Sequence, residues 1–204
     1  MTTIVATHFC SLDGVAEIDE AWHFPYFDQN MGAGVAEDYA DVDLLLLGRV
    51  TYDSFAGAWP QREADGGEDA AFAAQLGDLP KMVATRGATD LGWRNVTSTA
   101  DLLATAQQLH EQPGTAKVLV PGSISVVRQL LAAGELDELR LYVHPVLAGA
   151  GQRLFAEHSG LQPLRLDRCQ AYPTGVVRLI YNKSELPGQA SYEEAVAHVA
   201  EAAN

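Results

Sequence analysis

The chain has 204 residues, with 13 basic and 27 acidic side chains, a net charge of −14 and a 48% apolar composition. This length suits one domain with its own core, the apolar fraction excludes a disordered chain, and the acidity argues against a surface for nucleic-acid phosphates. No apolar run reaches the roughly 18–20 residues of a membrane helix. The first residues show no secretory pattern, and Cys10 and Cys169 form no disulfide framework, so a reducing, cytoplasmic setting is expected.

The first element is a β-branched, apolar strand over residues 3–9, closed by the turn Ser11-Leu12-Asp13-Gly14. Residues 15–30 are irregular and rich in rings: Trp22, Phe24, Pro25, Tyr26 and Phe27. A solvated loop has no use for so many aromatics, so this segment is expected to cover something. A short helix is expected over 33–40. The run 43–48 (DLLLLG) is continuously apolar and ends in Gly, as in a strand buried on both faces of a parallel sheet.

The runs 81–85 (KMVAT) and 117–122 (KVLVPG) repeat that pattern. Helices follow: a short one over 50–55, one over 99–111 with Leu102, Leu103, Ala106 and Leu109 on one face, and one over 123–134 ending at Gly134. Alternation of strand and helix predicts an α/β fold with right-handed crossovers. The segments 138–147, 163–172 and 175–183 read as strands, the last two joined by a hairpin at Pro173-Thr174-Gly175. The expected architecture is a single domain over residues 1–183, with a mixed, mostly parallel sheet, flanking helices and an antiparallel C-terminal hairpin. A linker follows, and then a helix over about 191–202, opened by the capping-box spacing of Ser191 and Glu194.

Charge is unevenly placed. Residues 1–80 hold 15 acids and only two bases, Arg49 and Arg62. Arg49 follows a buried run at a strand end, where open α/β sheets bind ligands. Three such ends share this character: Gly48-Arg49-Val50-Thr51, Thr85-Arg86-Gly87 and Pro121-Gly122-Ser123-Ile124. Glycines admit a ligand to the backbone, helix N-termini offer free N–H groups, and arginines grip phosphate bidentately. Two arginines and two helix starts suit a dinucleotide carrying an extra phosphate.

Other chemistries lack their patterns. G-x-G-x-x-G, G-x-S-x-G and Walker A sequences are absent, and the scattered histidines give no zinc spacing, so no metal is expected. His144, before Pro145 in a strand, reads as structural. The acid candidates are Asp28 and Asp13, the latter equally at home making the turn of residues 11–14.

The ordered set SLDG (11–14), LLLGRVTYDSF (45–55), KMVATR (81–86), VLVPGS (118–123) and LDELRLYVHPVLAGAGQRLF (136–155) resembles the dihydrofolate-reductase-like superfamily. It is most similar to the branch containing the C-terminal reductase domain of the bacterial riboflavin-biosynthesis protein. The resemblance covers about residues 2–183, and the last segment is the most specific. It implies an NADPH-binding reductase, often a homodimer, that passes a hydride to a small heterocycle. By motif, it implies Gly48, Arg49 and Thr51 at the cofactor phosphates, and Thr85 and Arg86 near the adenosine 2′-phosphate. It also implies Gly122, Ser123 and Ile124 over the pyrophosphate, and Ala6 and Val120 near the nicotinamide. Trp22, Phe27, Asp13 and Phe55 would wall the substrate, with Asp28 as the catalytic acid. Two positions depart from the family pattern. Pro121 stands where the family commonly has Gly, and Asp28 falls one residue later than the acid after Trp-x-x-Pro. Two alternatives therefore stand beside the reductase: a stand-alone riboflavin-pathway pyrimidine reductase, and a non-catalytic nucleotide-binding dimer.

Overall fold

Residues 43–48 behave as their composition demands. Strand β2 (Leu44–Gly48) alternates its leucines between the two faces of a sheet, with Leu46 packed into one apolar cluster and Leu45 and Leu47 into another. The computed structural model describes residues 1–87, 91–155 and 160–186. Its other strands are β1 (Thr3–Ser11), β3 (Lys81–Ala84), β4 (Val96–Thr99), β5 (Lys117–Val120), β6 (Glu138–His144), β7 (Leu164–Ala171) and β8 (Val177–Lys183). They form one eight-stranded sheet in the order β4-β3-β2-β5-β1-β6-β8-β7. The pairings from β4 to β6 are parallel, and those of β8 with β6 and β7 are antiparallel. The expected α/β architecture and its C-terminal hairpin are therefore present.

Helices α1 (Glu20–His23), α2 (Gln29–Tyr39), α3 (Arg49–Asp65), α4 (Ala70–Asp78), α5 (Leu102–Glu111) and α6 (Ile124–Ala133) cover both faces. On one face, Leu102, Ala106, Leu109, Val126, Val127 and Leu130 pack on Ile4, Ala6, Leu46 and Val118. On the other, Tyr39, Tyr52 and Leu76 pack on Val5, Leu45, Leu47 and Val83. Burial on both sides supplies most of the driving force, at about 25 cal/mol per Å² of apolar surface.

Several elements differ from the expectations, among them α1, a helix within the segment expected to be irregular. Helix α3 runs 17 residues rather than six and carries Pro60 inside it. Proline removes one N–H and disfavours helix at the residue before it. Here Trp59 is held by edge-on contacts with Phe55 and Phe72 and by the Arg62 guanidinium over its ring, so packing outweighs local preference. Helix α2 begins at Gln29, four residues before its expected start, because Asp28 caps it. Helix α4 and strand β4 were not expected. The helix over 191–202 and residues 187–190 of the linker lie outside the described residues.

The N-terminal acids find their bases across the fold. Asp38 is fully buried and accepts from Arg140, Arg178, Thr7 and Tyr142. Glu37 pairs with Arg168 and Arg178, Glu63 and Asp78 with Arg94, and Asp13 with Arg153. At the sheet's end, every residue of β7 is exposed, including Leu164 and Leu166. Among the described residues no helix is long and apolar enough to cross a membrane, and no group of side chains is arranged to hold a metal ion.

Candidate active site

The parallel strands β2, β3 and β5 end on one edge, and the chain leaves β2 and β5 directly into helices. Those three strand ends line a single cleft of about 1780 Å³, which continues to Phe9, His23, Phe24 and Phe27. A pocket for one drug-sized ligand is about 300–1,000 Å³, so this cleft has room for a dinucleotide and a second molecule.

At one end, helix starts meet. Helices α2 and α5 are capped by the side chains of Asp28 and Asp101, whereas α3 and α6 begin at Gly48 and Ser123 with no side-chain cap. Neither α3 nor α6 has an acid in its first turn. Ser123 turns its hydroxyl to Thr51 instead, Oγ to Oγ1 at 2.8 Å. A Cβ on Gly48 would lie 2.7 Å from Ser123 Cβ, so only glycine lets the two loops close on each other. Gly122 has φ +113°, a conformation natural to glycine, and the Gly122–Ser123 peptide is cis. The free N–H groups and dipoles of two adjacent N-termini favour a negatively charged group there.

Gly48, Arg49, Thr51, Thr85, Arg86, Gly122, Ser123 and Ile124 all line the cleft. Arg49 is tied to Asp53 through Nε, at 2.8 Å, in an exposed i,i+4 pair. Such pairs contribute only a few tenths of a kcal/mol, so the guanidinium can turn to a phosphate at small cost. Two free N-termini, two arginines and a glycine-only cradle fit a dinucleotide phosphate backbone.

The other end is aromatic. Phe27 and Phe55 line the cleft. Trp22 stands behind it, edge-on to His144 with ring centres 5.0 Å apart. Ala6 and Val120 are fully buried partners in the β1–β5 pairing. Their chain neighbours Thr7, His8 and Pro121 line the cleft.

The two acid candidates are engaged elsewhere. Asp28 caps α2, accepting from the Met31 N–H at 2.8 Å and from Asn30 Nδ2, and these bonds hold its carboxyl below its usual value. It does not line the cleft. Asp13 accepts from the Ser11 hydroxyl at 2.6 Å and from the N–H groups of Ala148 and Gly149, which together hold its pKa down to about 2. It braces the 11–14 turn against the loop after β6, outside the cleft.

Two cleft histidines went unrecognised in the sequence. His8 shares its strand face with Ile4, Ala6 and Cys10, and its Nε2 is buried with no partner among the described residues. Burial lowers its pKa to about 4. His23 packs on Phe9 with ring centres 4.5 Å apart. The available signals were a lone ring nitrogen at an inward position of an apolar strand, and a histidine inside an aromatic run.

A family model described as the RibD C-terminal domain matches residues 2–178. The chain belongs to this family. YyaP, an uncharacterized protein of Bacillus subtilis (strain 168), is 24% identical over 149 residues, covering 73% of this chain and 78% of YyaP. Among solved structures, a pyrimidine reductase-like protein from Corynebacterium diphtheriae superposes with a TM-score of 0.61 at 18% identity, over 90% of this chain and 92% of that one. RibD of Acinetobacter baumannii gives a TM-score of 0.59 at 15% identity, with 91% of this chain matching 59% of that protein. At such identities these structures establish a shared fold. The family match over residues 2–178 places the chain among reductase-like proteins.

Proposed function

We propose that the protein is an NADPH-dependent reductase that transfers a hydride to a small pyrimidine-like or pterin-like heterocycle, working in the cytoplasm as a homodimer. The observation that carries this reading is the meeting of two uncapped helix N-termini at Gly48 and Ser123, at one end of a cleft whose other end is aromatic. Gly48, Arg49 and Thr51, with Gly122, Ser123 and Ile124, hold the pyrophosphate, and Thr85 and Arg86 meet the 2′-phosphate. Thr7, His8 and Pro121 flank the nicotinamide. When bound, the cofactor supplies the hydride. The chain's own part is to orient both rings and to shield them from water among Phe9, Phe24 and Phe27. Asp28 and Asp13 stay in their backbone hydrogen bonds and serve as scaffold. A second copy covers the open β7 edge with its exposed Leu164 and Leu166, which light scattering checks as a doubled mass.

The test is a fluorescence titration with NADPH and NADH. NADPH should bind more tightly, and Arg49→Ala and Arg86→Glu should each reduce that preference. No binding of either nucleotide at millimolar concentration rejects the reading. Binding without oxidation across pyrimidines, pterins and flavin precursors would instead select the non-catalytic dimer.

The match to the RibD C-terminal domain over residues 2–178 favours a narrower reading, a stand-alone pyrimidine reductase of riboflavin synthesis. Expression in a strain lacking that reductase should restore growth without riboflavin. Soluble expression without rescue counts against it.

A further inference from the structure

A chain of hydrogen bonds fixes the protons on a histidine pair beside the cleft. His144 is fully buried at the end of β6, and its Nδ1 lies 3.1 Å from the carbonyl oxygen of Tyr142. A carbonyl only accepts, so Nδ1 carries the proton, and in the neutral ring Nε2 is an acceptor. His23 Nδ1 lies 3.2 Å from that Nε2 and must donate to it. The other nitrogen of His23 is then left with a lone pair. It has no hydrogen-bond partner among the described residues, and His23 lines the cleft beside Phe24 and Phe27. Both rings are neutral near pH 7. Burial, with His144 adding to it, lowers the pKa of His23 to about 4, and burial lowers that of His144 too.

We propose that His23 Nε2 is the acceptor for an N–H or amino group of the heterocyclic substrate, and that His144 is a positioning residue that fixes the acceptor state from behind. This deepens the reductase reading and rests on it. An acceptor set among Phe9, Phe24 and Phe27 discriminates by chemistry. A heterocycle offering an N–H satisfies it, whereas one offering a carbonyl or a bare ring nitrogen sets lone pair against lone pair.

Two measurements test this. Long-range ¹H–¹⁵N spectra of histidine-labelled protein at pH 7 should show both His23 and His144 protonated at Nδ1. In His144→Phe, the His23 signals should move away from that tautomer, a change that loss of packing alone does not produce. Separately, NADPH-saturated protein is titrated with 2-aminopyrimidine and with 2-methylpyrimidine, which has the same shape and no N–H donor. The amine should bind about five- to tenfold more tightly, as for one neutral hydrogen bond, and His23→Leu should shrink that ratio to below about twofold. A proton on His23 Nε2, no amine preference in the wild type, or an unchanged preference in His23→Leu overturns the proposal. If NADPH itself fails to bind, the reductase reading falls, while the tautomer spectrum and the same titration without nucleotide still judge the acceptor.

Discussion

Replacing Asp38 by Asn removes one negative charge from a buried crossroads and leaves its shape almost unchanged. Its carboxylate accepts from Thr7 Oγ1 at 2.8 Å, Tyr142 Oη at 2.9 Å, Arg140 Nη1 at 2.8 Å and Arg178 Nη2. In Asp38→Asn, the side-chain NH₂ must face two of these four donors, and two buried guanidinium groups lose their shared counter-charge. Removing one member of a buried ion pair costs about 3–5 kcal/mol. Each arginine keeps a second acid, Glu37 for Arg178 at 2.6 Å and Glu138 for Arg140 at 2.5 Å, which places the loss at the lower end, about 3 kcal/mol. For a chain of this length that lowers Tm by roughly 6–12 °C. The assay is urea unfolding at pH 7, with the exposed Asp41→Asn as the control expected within about 0.5 kcal/mol of wild type. Asp38 does not line the cleft, so the folded variant should keep its NADPH affinity. A loss below about 1 kcal/mol would refute the view of Asp38 as the charge that compensates both arginines.

Gly48→Ala should weaken NADPH binding at least about tenfold, because its φ of −79° suits any residue while the added methyl would press on Ser123 and, at 3.2 Å, on Val126 Cγ2. An unchanged dissociation constant in fluorescence titration would contradict the closed cradle. Lys81→Met should cost roughly 2–3 kcal/mol in urea unfolding with NADPH affinity retained, since Nζ donates to the carbonyls of Leu76, Gly77 and Leu79 at the end of α4. Acid should weaken the fold through His8. Its folded pKa, about 4, lies below the unfolded 6.5, so its contribution is complete above pH 6.5 and is lost as pH falls toward 4. The loss reaches about 2 kcal/mol by pH 5. His8→Leu should flatten the stability profile between pH 7 and 5, and an equal slope in both proteins would count against it.

What was legible in the sequence follows from what each residue's type determines. The run from Leu44 to Gly48 could only be a doubly buried strand, and Leu130 with Gly134 marked both the buried face and the end of α6. The three strand-end motifs converge on one cleft because parallel strands share a C-terminal edge. Helix α3 continues ten residues past its expected end at 55, through Pro60, because the ring contacts of Trp59 that hold it are tertiary and leave no local pattern. Strand β4 has four residues and no buried face, and so leaves no pattern. Asp28 and Asp13 show the limit for the site. A carboxylate that caps a helix or ties a turn has the same letter as one that protonates a substrate, and only the N–H groups of Met31, Ala148 and Gly149 distinguish them. At β1, Ala6 is buried in the sheet, and Thr7 and His8, nearer the strand's C-terminal end, line the cleft.

The distribution of charge sets an order of events in the making of the molecule. Strand β1 lies between β5 and β6, and five acids of residues 1–80, Asp13, Glu37, Asp38, Glu63 and Asp78, pair with Arg94, Arg140, Arg153, Arg168 and Arg178. During synthesis the first 80 residues therefore emerge as a strongly anionic chain, self-repelling and without either neighbour of its central strand. Mutual repulsion of these acids opposes collapse of the growing chain, or its pairing with other nascent copies, until the second part, which carries 11 of the 13 basic side chains, supplies their partners. An isolated fragment 1–80 should stay expanded and soluble rather than aggregate, with its compaction depending on the remaining residues supplied in trans.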